Sequence, residues 1–246
     1  MCGRYTHKFT WRQIHSHLSG FIDSTRGGWK APAEDPKPRY NQPPTDPAPI
    51  IIRDGDNGLE GLMARWDFVP WFHKGPLEAK KWSGINARIE TCATSGAYRD
   101  AVKQRRCLVP NEGFFEWKRE GKSKIPYWFK PTDTDVSFFA GIWDRWEGVH
   151  KGEPVAFTSF AILTCEPNSL VAPLHDRMPA ILRPEDYERW LFDDCEGALK
   201  AVGPYPAQVM QSQQLGQEIN SSRNDYPELL VVPKLAIGPT VTPLSS

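Results

Sequence analysis

Between residues 48 and 164 the chain is dominated by runs rich in β-branched and aromatic side chains, at 48–53, 62–69, 85–90, 107–118, 125–130, 136–144 and 156–164. Such side chains fit the pleated, half-buried surface of a sheet, and the runs have the length and alternation of strands. Asp54-Gly55-Asp56-Asn57-Gly58 and Arg119-Glu120-Gly121-Lys122 supply tight-turn chemistry between them, which predicts antiparallel hairpins. Helices are fewer. The clearest spans Pro184 to about Asp193, with proline at the first position, Glu185 and Asp186 in the first turn, and Tyr187, Trp190 and Leu191 on one face. Weaker helical stretches fall near 10–18 and 97–105. The pattern predicts an α+β fold, a curved antiparallel β-sheet or barrel with flanking helices. At 246 residues and 39% hydrophobic, one sizeable core is affordable, and a single domain is expected over 1–232. The proline-rich stretch 31–44 reads as an extended surface loop, and 233–246, with three prolines, as a flexible tail of unknown partners.

Thirty basic and thirty acidic residues cancel, so any nucleic-acid site has to be a local patch rather than a bulk property. No stretch approaches the roughly 18 apolar residues of a membrane helix, and the start MCGRYTHKF lacks an apolar signal core. An intracellular monomer is expected, without membrane contact, nuclear in a eukaryote and cytoplasmic in a bacterium. Five cysteines, odd in number and without CxxC spacing, argue against a disulfide framework and a zinc site. No metal or other cofactor is called for. Cys92, Cys107, Cys165 and Cys195 read as small buried hydrophobes; Cys2 stands apart.

A small second residue permits removal of the initiator methionine, which would leave Cys2 as a free N-terminal cysteine. Its α-amino group, with a reference pKa of about 7.7–8.0 against about 10.4 for lysine, is roughly a quarter neutral near physiological pH, whereas lysine is almost wholly protonated. Its thiol lies two carbons from that amine. An imine formed with an aldehyde can therefore be trapped by sulfur as a five-membered thiazolidine, which no internal cysteine can do. The plainer alternative is a cysteine buried near the first strand.

Strand alternation over 2–6 would place Cys2, Arg4 and Thr6 on one face. Over 85–90 it would place Asn86, Arg88 and Glu90 on a polar face, where Asn86 can orient the terminal amine and Arg88 can hold a phosphate; a merely solvated face is the alternative. In Gly113-Phe114-Phe115-Glu116-Trp117-Lys118 a lone carboxylate lies among three aromatics. Desolvation would raise its pKa and make it a proton donor, unless it simply pairs with Lys118. In Leu174-His175-Asp176-Arg177-Met178-Pro179, His175 occupies a polar connection and is a candidate acid/base group, with a structural role as the alternative.

These segments, taken in order, resemble the SOS response-associated peptidase (SRAP) family of abasic-site-processing proteins. The resemblance covers most of the chain: Met1-Cys2-Gly3-Arg4-Tyr5, Arg39 to Thr45, Arg65-Trp66 with Pro70-Trp71, Asn86 to Thr91, Gly113 to Lys118, Phe160 to Thr164, His175 to Pro179, and Asn220 with Asn224-Asp225. It implies Cys2 as covalent nucleophile, Asn86 and His175 lining the reaction centre, and Glu116 as the acid/base carboxylate. It further implies Arg4, Arg88, Thr164 and Arg177 as DNA or active-site contacts. The implied partner is single-stranded DNA containing an abasic site, whose ring-opened sugar is captured as a thiazolidine cross-link. The peptidase name refers to self-removal of the residue before the cysteine. Two departures stand out: 72–83 is longer than the usual connection, and Gly96 replaces a basic or bulky residue, for which Arg99 is the substitute. Because an abasic sugar is mostly a closed hemiacetal, Glu116 and His175 fit a need for proton transfer. Trp66 and Trp71 are candidates to stack on bases beside the lesion. Two other classes remain open: an N-terminal-nucleophile amidohydrolase, and a non-catalytic nucleic-acid reader that binds reversibly.

Overall fold

Alternating runs become paired strands throughout the computed structural model, which describes residues 2–25, 27–55 and 58–231. The expected tail at 233–246 lies outside the described residues. The strands are β1 (Tyr5–His7), β2 (Trp29–Lys30), β3 (Arg39–Gln42), β4 (Pro47–Asp54), β5 (Gly58–Trp66), β6 (Asn86–Arg88), β7 (Arg106–Asn111), β8 (Gly113–Glu120), β9 (Ser123–Pro131), β10 (Ser137–His150), β11 (Glu153–Cys165), β12 (Met178–Pro179), β13 (Ile181–Leu182) and β14 (Met210–Gln214). The helices are α1 (Trp11–Thr25), α2 (Ile89–Cys92), α3 (Arg99–Gln104), α4 (Tyr187–Phe192) and α5 (Cys195–Lys200). A 3-10 turn over Pro184–Asp186 leads into α4, where the proline and acidic residues predicted a helix start.

Neighbours β11–β10, β10–β7, β7–β4 and β4–β5 pair antiparallel. β5 then returns to β11 in parallel register, with Ser159 opposite Arg65 and Phe160 opposite Trp66. The ring is a closed five-stranded barrel, which leaves none of these strands as a free edge. A second, antiparallel sheet runs β14-β9-β8-β1-β3. The two share one core. Tyr5 of β1 meets Trp66 edge-on at 5.0 Å between ring centroids and Phe139 at 5.7 Å, while Phe114 stacks on Phe129 at 5.3 Å and reaches Phe139 at 6.4 Å. All of these rings are fully buried.

α1 buries Trp11, Ile14, Leu18 and Ile22, spaced as one helical face. Its start is a reciprocal cap, in which Thr10 Oγ1 accepts from Gln13 N–H and Gln13 Oε1 accepts from Thr10 N–H.

Three expectations need correction. The run 107–118 is two strands in different sheets, because the chain crosses over at Glu112–Gly113. A Cβ on Gly113 would stand 2.3 Å from the Phe129 carbonyl oxygen, so only glycine lets β8 approach β9 this closely. The run 85–90 is a strand only to Arg88; Ile89 and Glu90 already belong to α2, so the expected alternation stops there. Within the supposed loop 31–44, residues 39–42 form an edge strand on β1. Prolines at 38 and 43 limit it to four residues, and the Asp225 carboxylate accepts from the Tyr40 and Asn41 amides on its outer side.

Candidate active site

The backbone register brings the chain start against the aromatic strand. Tyr5 pairs with Phe114 and Thr6 with Gly113, and the Phe115 amide donates to the Arg4 carbonyl at 3.0 Å. The same antiparallel step sets Gly3 beside Glu116. Both line a cleft of about 720 Å³, together with Arg4, Trp117, Lys118, Arg119, Lys124, Pro173, Leu174, His175 and Asn220. Cys2 is the neighbour of the lining residue Gly3 and does not itself line the cleft; its side chain is fully buried, with the thiol donating weakly to the Arg4 carbonyl at 3.6 Å.

Asn86 enters from the other side. β6 runs parallel to β11, with Asn86 opposite Ile162, and its Nδ2 donates to the Cys2 carbonyl at 2.8 Å. The contact is to the carbonyl rather than to an amine. Its Oδ1 is buried without a hydrogen-bond partner among the described residues.

Burial controls the electrostatics. Glu116 is only 3% exposed, and desolvation pushes its carboxyl up to about 8 against the pull of the chain's terminal amine. It is therefore largely a neutral acid near pH 7. Lys118 turns instead to Glu120, at 2.6 Å. Burial, aided by Glu116, drives the Cys2 thiol far above the usual range, so sulfur rests as S–H rather than thiolate. His175 is shifted below its ordinary value, first by desolvation and then by the terminal amine. Its Nδ1 accepts the Arg177 amide at 3.0 Å and also lies 2.9 Å from Asp176 Oδ1. An unprotonated Nδ1 satisfies the first contact and not the second. With protonation disfavoured, the backbone bond decides the tautomer and the proton sits on Nε2.

Arg177 and Thr164, expected as DNA or active-site contacts, both make bonds within the fold. Arg177 is 9% exposed, forks onto both Glu90 oxygens at 2.7 and 2.9 Å, and donates to the Thr164 carbonyl. It ties the His175 loop to α2 and β11. Thr164 is 1% exposed and its hydroxyl donates to the Ala87 carbonyl, so it also acts inside the fold. Trp66 is a correction: it is fully buried, with its indole N–H on the Ile85 carbonyl, and no ring face is left for a base. Trp71, in contrast, is 56% exposed and lies edge-on to Phe72. Arg88 is exposed at the end of β6. Arg4 is half-buried, with Nη1 donating to Asn41 Oδ1 at 2.7 Å. Arg99 sits on the surface beside Asp100, and Gly96 faces open space. The 72–83 segment docks on β10 through Trp146 Nε1 and the His73 carbonyl at 2.9 Å, away from the cleft lining. Cys92, Cys107 and Cys165 are buried, Cys195 is partly exposed, and all are free. Among the described residues no cluster has the make-up of a metal site, and no helix is long and apolar enough to cross a membrane.

Asn41 was not singled out from sequence. It is fully buried: Oδ1 holds Arg4, while Nδ2 donates to the carbonyls of Ile219, Ser221 and Asn224 at 3.2, 3.0 and 2.9 Å. It thereby fixes the C-terminal segment whose Asn220 forms one end of the cleft and accepts from the Trp117 indole at 2.6 Å. The available signal was the amide pair Asn41-Gln42 set between prolines 38 and 43, with Asn224-Asp225 far downstream.

Comparison with known proteins agrees with this arrangement. Residues 1–222 match the family model described as SOS response associated peptidase (SRAP). The chain is 32% identical over 234 residues to the abasic site processing protein YoqW of Bacillus subtilis, covering 94% of this chain and 99% of that one. It is 30% identical to the abasic site processing protein HMCES of Gallus gallus, covering 82% and 68%. A crystal structure of a protein from Bacteroides thetaiotaomicron superposes with a TM-score of 0.77 at 24% identity, over 95% of this chain and all of that one, which is a likeness of fold. With the cleft, its buried carboxyl and the matched family model in agreement, the chain belongs to the SRAP family.

Proposed function

We propose that this protein processes abasic sites in DNA, and that it does so by capturing the ring-opened sugar in single-stranded DNA through Cys2 once Met1 has been removed. The carrying observation is that Glu116 and His175 line one cleft, with Cys2 buried behind Gly3 within electrostatic reach of Glu116 and Asn86 bonded to the Cys2 carbonyl. Relatives named as abasic site processing proteins support the same reading.

The chemistry follows from the protonation states. Neutral Glu116 can protonate the ring oxygen of the closed sugar while a base removes the anomeric hydroxyl proton, which opens the aldehyde. The Cys2 amine adds to that carbon, held by Asn86 through the neighbouring carbonyl and through a free Oδ1 able to accept an amine N–H. The attacking amine's surplus proton restores Glu116 and the anomeric proton returns to the alkoxide; Glu116 then protonates that hydroxyl, which leaves as water, and takes up the iminium N–H proton to give the imine. The Cys2 S–H then adds across the C=N bond, sulfur to carbon and hydrogen to nitrogen. The thiazolidine forms with the net loss of one water. Burial disfavours a resting thiolate, so the proton leaves sulfur only as the C–S bond forms. The peptidase activity in the family's name is read as release of the residue that precedes Cys2.

The test is incubation of the trimmed protein with a single-stranded oligonucleotide bearing one abasic site, followed by denaturing electrophoresis. A shifted band is expected for the parent. Its absence at every pH between 6 and 9 would overturn the reading.

A further inference from the structure

One wall of the cleft takes no part in the capture chemistry. Past Glu116, β8 and β9 continue as a two-stranded hairpin, paired from Trp117–Pro126 to Glu120–Ser123. Residues 118–124 of this hairpin carry Lys118, Arg119, Lys122 and Lys124 against Glu120 alone, all exposed. In a chain whose charges cancel, that is an excess of three positive charges in seven residues.

The arrangement is unfavourable by itself. Arg119 stands directly opposite Lys124 across the two strands, and like charges in that position destabilise a sheet. Glu120 relieves Lys118 at 2.6 Å, whereas Arg119 and Lys124 form no ion pair among the described residues. Both line the cleft, whose one acidic lining residue, Glu116, is held largely neutral by burial; the nearby Asp176 carboxylate lies against His175.

Resting on the reading above, we propose that Arg119 and Lys124 form a clamp for a phosphodiester of the nucleic-acid strand next to the reacting sugar. An anion between the two cations converts their repulsion into two charge-assisted contacts. The clamp holds the backbone and does not read the base, so it serves any sequence around a lesion.

The test uses the full chain with Cys2→Ala, so that binding is reversible, and a labelled single-stranded oligonucleotide with or without an abasic site. Fluorescence anisotropy is followed across a salt titration. Arg119→Gln/Lys124→Gln should weaken both oligonucleotides on the order of tenfold at low salt and flatten the slope of log affinity against log salt by about 0.7, the value for one neutralised phosphate on a single strand. Circular dichroism should be unchanged, since both side chains are exposed. Arg12→Gln/Lys37→Gln, on α1 and the connection between β2 and β3, removes equal charge outside the cleft and should leave affinity near the parent's. An unchanged affinity and slope in the hairpin variant, or an equal loss in the α1 variant, overturns the clamp. Failure of covalent capture would appear in the Cys2-containing parent alone and leave this comparison intact.

Discussion

Burial keeps the Glu116 carboxyl protonated up to a pH of about 8, and that one property ties rate to stability. Unfolded, the same group ionises near the ordinary glutamate value of 4.5. Folding therefore gains from the neutral carboxyl in full below that value and loses the gain as pH rises toward 8. Glu116→Gln, which cannot ionise, should stabilise the fold by on the order of 2 kcal/mol at pH 7.5 while slowing cross-linking 10²-fold or more. Thermal melts and single-turnover gels across pH 6–9 check both halves; a variant as fast as the parent would remove the carboxyl from the chemistry. His7 is the opposite case. It is buried against Gln42, and desolvation lowers it to about 4 from 6.5. The neutral ring's contribution is complete above 6.5 and is lost as pH falls toward 4, because the unfolded state takes up the proton first. His7→Gln should flatten that acid limb in urea titrations between pH 4 and 6.5; a limb as steep as the parent's would assign acid sensitivity elsewhere.

At the scale of elements, the 39–42 strand does more than border a sheet. Through Asn41 and Asp225 it locks the segment carrying Asn220 and steadies Arg4. Asn41→Ala would leave several buried polar groups without partners, at about 2–4 kcal/mol, and should lower the urea midpoint and slow capture together. A neutral effect on both would deny the lock. Much of the element order was legible because β-branched runs and turn residues agree locally. What was not legible depended on contacts far along the chain. Nothing in residues 107–118 announces that Gly113 must admit the Phe129 carbonyl, and nothing in residues 39–42 announces that Asp225 will accept from their amides. Arg177 and Thr164 could not be told from surface contacts for a similar reason: an arginine's destination depends on which carboxylate the fold delivers, here Glu90 from α2.

Over the whole molecule, a closed barrel and a second sheet share one aromatic core, and the cleft forms where the chain start is pinned between them. Of the two candidate stacking tryptophans, the core took Trp66 and left Trp71 outside; Trp66 falls in step with Leu62 and Ala64 along β5, whereas Trp71 lies past the strand's end, after Pro70. Trp66→Ala should cost about 3–5 kcal/mol of stability. Trp71→Ala should leave the melting temperature near the parent's and, if the exposed ring stacks on a base, weaken single-strand binding by about 1–3 kcal/mol in anisotropy titrations. Equal melting losses in the two variants would contradict this division. The central claim, that the Cys2 amine and sulfur jointly hold the sugar carbon, is tested most directly by intact mass of the heated adduct in parent and Cys2→Ser. The parent should give the sum of protein and oligonucleotide less one water, stable to heating, whereas Cys2→Ser should yield an adduct only when borohydride traps the imine. A heat-stable adduct of the same stoichiometry from Cys2→Ser without a reductant, or none from the parent, would contradict it.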